Sequence, residues 1–281
     1  FYVTAGDVRL LPGGQVLRDE TMVLSLATAA LMRPREMQSV IAHELGHFAG
    51  DDVQYTLRFA PMHAGMVRAI AAVSDDHRQH DSLFESPRAL GQFVLGRMRR
   101  AQAHWSRQRE FAADQLAGAV AGERAAACAL VRNGAIVPVI STYLGEVFRR
   151  PEDAPDDILH GLVDYARRRG LEAPDLHAGA ACAHPVDSHP TTLDRVRALG
   201  FDATSDLLAE ACASVGDEGV NTLDRWLVDR VGVQLELSAD LGAAALQQKR
   251  SVTAALRAAA AGPRSAVVQP RAADATEPAM S

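Results

Sequence analysis

The chain has 281 residues, of which 48% are hydrophobic and 23% charged, and its net charge is −6. This length and balance are sufficient for one substantial domain with a packed core, with or without an appendage. The acidic balance gives no reason to expect a nucleic acid as a partner. Only 5% of the residues are aromatic, and alanine is abundant, so helices are favoured over a large sheet.

Cysteine usage and the first residue indicate where the chain works. Cys128, Cys182 and Cys212 are widely separated and odd in number, which excludes a disulfide framework and favours a reducing compartment. The chain begins at Phe1 rather than methionine, so we expect a fragment or a processed chain. We expect the domain itself to be soluble. Since no run of 18 apolar residues occurs, an anchor is expected only in upstream sequence.

The N-terminal part is predicted to form short strands followed by a helix. The pattern from Phe1 to Leu26 is β-like, with a turn at Pro12-Gly13-Gly14 and a strand at Thr21–Leu26. A helix is predicted to begin at Pro34 and to stop at Gly50. Its apolar side is predicted to consist of Met37, Val40, Ile41, Leu45 and Phe48.

The remainder is predicted to be helical apart from a loop-rich section at Asp51–Glu85. A long helix is predicted to begin at Ser86-Pro87 and to reach Gly122. Further helices are predicted at Arg124–Arg132, Ile136–Arg149, Asp156–Arg169, in TTLDRVRAL up to Gly200, and at about Asp240–Ala261. The domain division predicted from these patterns is residues 1–200, a C-terminal helical extension at 201–261, and a disordered tail at 262–281.

The stretch VIAHELGHFAGDD, Val40 to Asp52, contains the pattern HExxH. His43 and His47 are four residues apart, so on a helix they point the same way and can bind one metal ion. Glu44 lies about 100° round the helix from His43, where it is better placed to act on a water molecule than to bind the same ion. Two ligands and a general base are the division of roles that HExxH provides in metallopeptidases.

A third ligand has to come from elsewhere in the chain. A metzincin would continue with a third histidine, but that position is Val53, and no later methionine turn is evident, so the sequence argues against this subclass. The downstream candidates are the glutamates Glu85, Glu110 and Glu123. Of these, only Glu110 is followed four residues later by an acid, Asp114.

The pair Glu110 and Asp114 suits a metal site. Glu110 could bind the ion while Asp114 accepts the second N–H of a ligand histidine. Two histidines, one glutamate and an open position form a catalytic rather than a structural zinc set. The alternative interpretation is a pair of exposed acids beside Arg107 and Arg109.

Three motifs together resemble the M48 family of zinc metallopeptidases. They are AHELGH, SRQREFAAD and SHPTTLDRVRAL, and the resemblance covers about Val3 to Gly200. It implies a gluzincin fold, mainly α with a small β-sheet (α+β), in which two motif helices pack around one zinc ion. It implies the zinc ligands His43, His47 and Glu110, the base Glu44, and a supporting role for Asp114. It also implies a domain that faces the cytoplasm and is membrane-associated in the full-length protein.

The third motif contributes His189 and Arg195. The resemblance implies that both approach the active site, where they stabilise the oxyanion of the transition state, or where the histidine occupies the metal and holds the enzyme latent. Chemically both roles are open to His189.

The function expected from these residues is zinc-dependent hydrolysis of peptide bonds in protein or peptide substrates. Glu44 is expected to take a proton from the zinc-activated water and to deliver it to the leaving amine. The strand that contains Val23, Leu24 and Ser25 is expected to pair with the substrate main chain, which favours unfolded or flexible segments.

Two other classes of function are open. The first is a latent or non-catalytic zinc-binding module that recruits partner proteins through its C-terminal helices, which predicts bound zinc without turnover. The second is a helical interaction protein with a fortuitous HExxH, which predicts no bound metal.

Overall fold

The fold was analysed in a computed structural model. It describes residues 2–4, 7–10, 14–49, 61–62, 64–72, 85–181 and 189–260. The predictions for the turn at Pro12-Gly13, for Gly50, for most of the loop-rich section (51–60, 63 and 73–84) and for the tail at 262–281 lie outside the described residues.

The N-terminal strands form two small antiparallel pairs. Strand β1 (Tyr2–Thr4) pairs with β4 (Thr21–Val23), with Val3 opposite Met22. Strands β2 (Val8–Arg9) and β3 (Val16–Leu17) lie between β1 and β4 in the chain and pair with each other. The predicted small β component of a mainly helical fold is therefore confirmed.

The predicted strand at Thr21–Leu26 is too long. β4 ends at Val23, and helix α1 (Leu26–Ala30) follows directly. The hydroxyl of Ser25 accepts a hydrogen bond from the Thr28 amide and so caps α1. Because a side chain that caps a helix fixes the chain direction there, Leu24 and Ser25 do not extend the strand as predicted.

Two long helices carry the first two motifs. Helix α2 spans Pro34–Ala49 and helix α3 spans Glu85–Ala121, close to the predicted bounds. The section between them is not entirely loop, because residues 61–62 and 64–72 are helical. The prediction that Leu45 belongs to the buried side of α2 is wrong, since this residue is 47% exposed. Small residues such as Ala42 occupy the buried side instead.

The two helices predicted at 124–149 are one. Helix α4 spans Glu123–Arg149 and continues through Pro138. By length and composition it is the one helix in the described part of the chain that could cross a membrane, although half of its apolar window is buried. Its side chains Val131, Ile136 and Val139 are buried in the protein core, as expected of a central helix in a folded domain.

The C-terminal half is made of further helices. They are α5 (Ile158–Arg169), α6 (Leu176–Ala181), α7 (Thr192–Ala198), α8 (Ser205–Ala211), α9 (Glu218–Trp226) and α10 (Arg230–Ala260). Helix α6 was not predicted, and α10 begins ten residues before the predicted start.

The helices after Gly200 share the core of the preceding helices. Leu223 of α9 and Ala245 of α10 lie in the same buried cluster as Met37 of α2. Leu207 of α8 lies in a second cluster with Ala42 of α2. The domain boundary at 200 stays a prediction, and the packing on both sides of it is continuous.

A buried arginine connects the ends of three helices, α1, α2 and α8. Arg132 of α4 is 1% exposed. Its guanidinium donates hydrogen bonds to the carbonyl oxygens of Leu31, Ala211 and Ala213. Its Nε also lies 3.4 Å from the carboxylate of Glu36, in the first turn of α2. The ends of α1 and α8 and the start of α2 are therefore attached to one side chain.

We expect Arg132→Ala to lower the free energy of unfolding by about 3–5 kcal/mol, because it leaves a buried carboxylate without its cation and removes the donors of three carbonyl groups. Arg149→Ala, at an exposed position of the same helix, should change it by less than about 0.5 kcal/mol. Urea denaturation of both variants measures the difference. Equal stabilities would show that Arg132 does not hold these helix ends.

Candidate metal centre

The first two motifs meet where helix α2 packs closely on helix α3. A Cβ atom added at Gly46, between the two histidines, would lie 3.3 Å from the Cα atom of Ala113. The absence of a side chain at Gly46 therefore lets the helices approach at this point. Ala113 lies between Glu110 and Asp114, so the approach brings both acids of the second motif to the histidines of the first.

The predicted ligands lie together. The ligand atoms of His43, His47 and Glu110 are all within 4.8 Å of one another. The two Nε2 atoms are 3.2 Å apart, and the Glu110 oxygens lie 3.6 Å from Nε2 of His43 and 3.7 Å from Nε2 of His47. In the described part of the chain this is the group that could hold a metal ion.

The chemistry of these groups suits zinc. Two imidazoles and one carboxylate are a known ligand set of catalytic zinc, which leaves a position open for water or substrate. Glu110 is 5% exposed, so the alternative of two exposed acids beside Arg107 and Arg109 is wrong. A buried carboxylate that faces two imidazole nitrogens fits a cation between them.

Asp114 lies behind the first histidine. Its Oδ1 is 3.0 Å from Nδ1 of His43, so it can accept a hydrogen bond from Nδ1–H, which leaves Nε2 free for a metal. Arg195 donates to the same carboxylate through Nε at 2.7 Å and Nη2 at 2.6 Å. Burial raises the pKa of Asp114, but the hydrogen bonds from Arg195 and His43 outweigh it and hold that pKa below its usual value.

Glu110 is also held in its charged form. Burial raises its pKa, but a hydrogen bond from His189 and the charge of Arg195 outweigh burial, so the pKa of Glu110 lies below its usual value. Nδ1 of His189 is 2.9 Å from Oε1 of Glu110, and Nη1 of Arg195 is 3.4 Å from Oε2. The third motif therefore reaches the site through both of its predicted residues.

His189 and Arg195 differ in exposure. The side chain of His189 is 68% exposed and that of Arg195 is 17% exposed. Arg195 lies on α7 and is fixed by the carboxylate of Asp114. His189 precedes α7, and its hydrogen bond with Glu110 raises its pKa above the usual value in spite of partial burial.

Glu44 opens onto a cavity that the sequence did not indicate. The cavity has a volume of about 130 Å³ and is bordered by His43, Glu44 and Arg195. Its other walls come from α2 and α4 and include Val40, Ala126, Ala129, Leu130 and Asn133. The α4 residues were missed because small residues in an alanine-rich helix carry no signal that separates a cavity wall from ordinary core.

The predicted substrate strand is linked to α2 through its partner, since β1 pairs with β4 and contacts this helix. Val23 is the last residue of β4 and is paired with Tyr2. Of the three predicted substrate contacts, Val23 alone lies in a strand.

The zinc content of two glutamine variants tests the ligand set. We expect about one zinc per chain in the parent protein, and in Glu110→Gln an affinity weaker by at least about 10–100-fold, the loss that even supporting residues produce. Glu123→Gln is the matched control, because this other candidate is exposed at the start of α4. Elemental analysis after dialysis measures the zinc content. Equal zinc in both variants would exclude Glu110 as a ligand.

Comparisons with known proteins agree with this geometry. Residues 12–201 match the family described as Peptidase family M48. "Protease HtpX" of Psychrobacter sp. (strain PRwf-1) is 29% identical over 180 residues, which cover 60% of this chain and 52% of the relative. "Protease HtpX" of Chromohalobacter salexigens is 26% identical over 194 residues, which cover 64% of this chain and 58% of the relative. The chain thus spans little more than half the length of these relatives. No solved structure matches it.

Proposed function

Because the chain belongs to peptidase family M48, we propose that it is a zinc-dependent endopeptidase that hydrolyses peptide bonds in unfolded or flexible protein segments. The observation that carries the proposal is the buried cluster of His43, His47 and Glu110 beside Glu44. These three residues would hold one zinc ion. When bound, zinc supplies Lewis-acid activation of water and of the scissile carbonyl.

Glu44 is proposed as the general base. It follows the first proposed ligand in the chain and lines a cavity together with His43, Asp114 and Arg195, which supports a position for its carboxylate beside the site. It takes the proton of the attacking water and later delivers it to the leaving amine. Asp114 keeps His43 in the tautomer that offers Nε2 to the metal.

Arg195 and His189 are proposed to stabilise the oxyanion that forms from the scissile carbonyl. Both are donors that lie against the ligand Glu110. The carboxylate of Asp114 fixes the guanidinium of Arg195 in place before the substrate arrives, and a donor that is already oriented stabilises developing charge most effectively.

We expect Glu44→Gln to reduce kcat/KM by about 10²–10⁴-fold, because the amide cannot accept the proton of water. Its zinc content should remain that of the parent. Glu146→Gln, at an exposed position of α4, is the control and should keep full activity. The measurement is cleavage of a permanently unfolded protein by the zinc-loaded chain. Full activity of Glu44→Gln would rule out Glu44 as the base.

His189→Ala distinguishes the catalytic from the latent interpretation. If His189 donates a hydrogen bond to the oxyanion, its removal should lower kcat by about 10²-fold. This is the lower end of the range found when one such donor is removed. His177→Ala, on the exposed side of α6, should have no effect. A gain of activity in His189→Ala would instead identify the histidine as an inhibitory ligand.

The substrate main chain is proposed to pair with β4. This strand has β1 on one side, and an extended peptide can add to the other edge of a strand. Because proline removes a main-chain donor, Val23→Pro should raise KM, whereas Val16→Pro in the separate β2–β3 hairpin should not. Unchanged KM in a zinc-loaded Val23→Pro variant would place the substrate elsewhere.

A further inference from the structure

Helix α3 has an exposed stripe on the side away from the metal centre. The stripe is formed by residues that are three or four positions apart and therefore share one side of the helix. Leu90 is 63% exposed, Phe93 is 66% exposed and Trp105 is 59% exposed. We call this set the outer stripe, and it consists of Leu90, Phe93, Val94, Arg97, Ala101, His104 and Trp105, all exposed.

The opposite side of α3 is the buried one. Ala103, Glu110 and Ala117 are 3%, 5% and 2% exposed, and Glu110 belongs to the metal centre. An occupant of the outer stripe would therefore leave the metal centre accessible. Isolated exposed apolar residues are ordinary, but several of them on one side of a helix, two of them aromatic, indicate a contact surface.

The charge of the outer stripe is positive in an acidic protein. The stripe contains no aspartate or glutamate, while the whole chain has a net charge of −6. Arg97 lies within the stripe and Arg100 at its border, and both are exposed. The partner that complements this surface is both anionic and apolar.

We propose that the outer stripe of α3 docks the chain onto an anionic phospholipid surface. Leu90, Phe93 and Val94 insert below the lipid headgroups, and Trp105 lies at the level of the headgroups. Arg97 and Arg100 meet lipid phosphates while the apolar parts of their side chains cover apolar surface. The six arginines among residues 86–109 exclude this part of α3 as a membrane-spanning helix. In the described residues, α4 is the helix whose length and composition would allow it to span a membrane. A second copy of the chain would place like charges against each other.

Trp105 can report this contact directly. The chain has two tryptophans, Trp105 and Trp226, so Trp226→Phe leaves Trp105 as the single tryptophan, which can be excited selectively. With vesicles of equal parts phosphatidylcholine and phosphatidylglycerol, we expect a blue shift of its emission and quenching by brominated acyl chains. Vesicles of pure phosphatidylcholine should give at least about tenfold weaker binding, because each surface arginine contributes to attraction by anionic lipid.

Two double variants in this background test the residues. Leu90→Ser with Phe93→Ser, and separately Arg97→Glu with Arg100→Glu, should each weaken vesicle binding by at least about tenfold. Matched controls on α10 are Leu246→Ser with Leu256→Ser, and Arg250→Glu with Arg257→Glu, at positions that are also exposed. These should bind as the parent does.

Zinc content and circular dichroism establish that each variant is folded, and vesicle binding needs no peptidase activity. Equal binding to neutral and anionic vesicles, or parental binding by folded stripe variants, would overturn the proposal. Self-association that the stripe variants abolish, without vesicle binding by the parent, would assign the surface to a second copy instead.

Discussion

The candidate metal centre depends on the hydrogen bonds that the carboxylate of Asp114 accepts. This carboxylate receives two hydrogen bonds from Arg195 and one from His43, and these residues lie on three different helices, α3, α7 and α2. A buried charge that loses its partner is strongly destabilising, so each of the three helices is held in the position that the other two require. The orientation of His43, the first proposed ligand, follows from this arrangement rather than from α2 alone.

Sequence reasoning grouped the candidate residues because helical spacing determines which side chains share a face. His43 with His47, and Glu110 with Asp114, are each four residues apart, and the structure places both pairs together. It failed where packing overrides pattern. Leu45 is exposed because Gly46 and Ala42 provide the close contact with α3, and α4 continues through Pro138 because its core contacts compensate for the missing amide. The cavity beside Glu44 depends on α4 approaching α2, which no local pattern encodes.

Helix α3 joins two surfaces with opposite character. One side places Glu110 and Asp114 in a buried, charged site, and the other presents the arginine-bearing outer stripe to solvent. Since both belong to one continuous helix, docking through the stripe would fix how the metal centre faces a nearby surface. A peptidase held in this way would meet flexible segments that emerge close to the lipid.

X-ray absorption at the zinc edge of the reconstituted chain tests the central claim most directly. The account predicts two imidazole nitrogens and carboxylate or water oxygens around one zinc ion, at the distances of about 2.0–2.2 Å typical of such ligands. The oxygen contribution should change in Glu110→Gln and not in Glu123→Gln. A third imidazole or a sulfur ligand, unaltered by Glu110→Gln, would contradict the account and place the metal elsewhere.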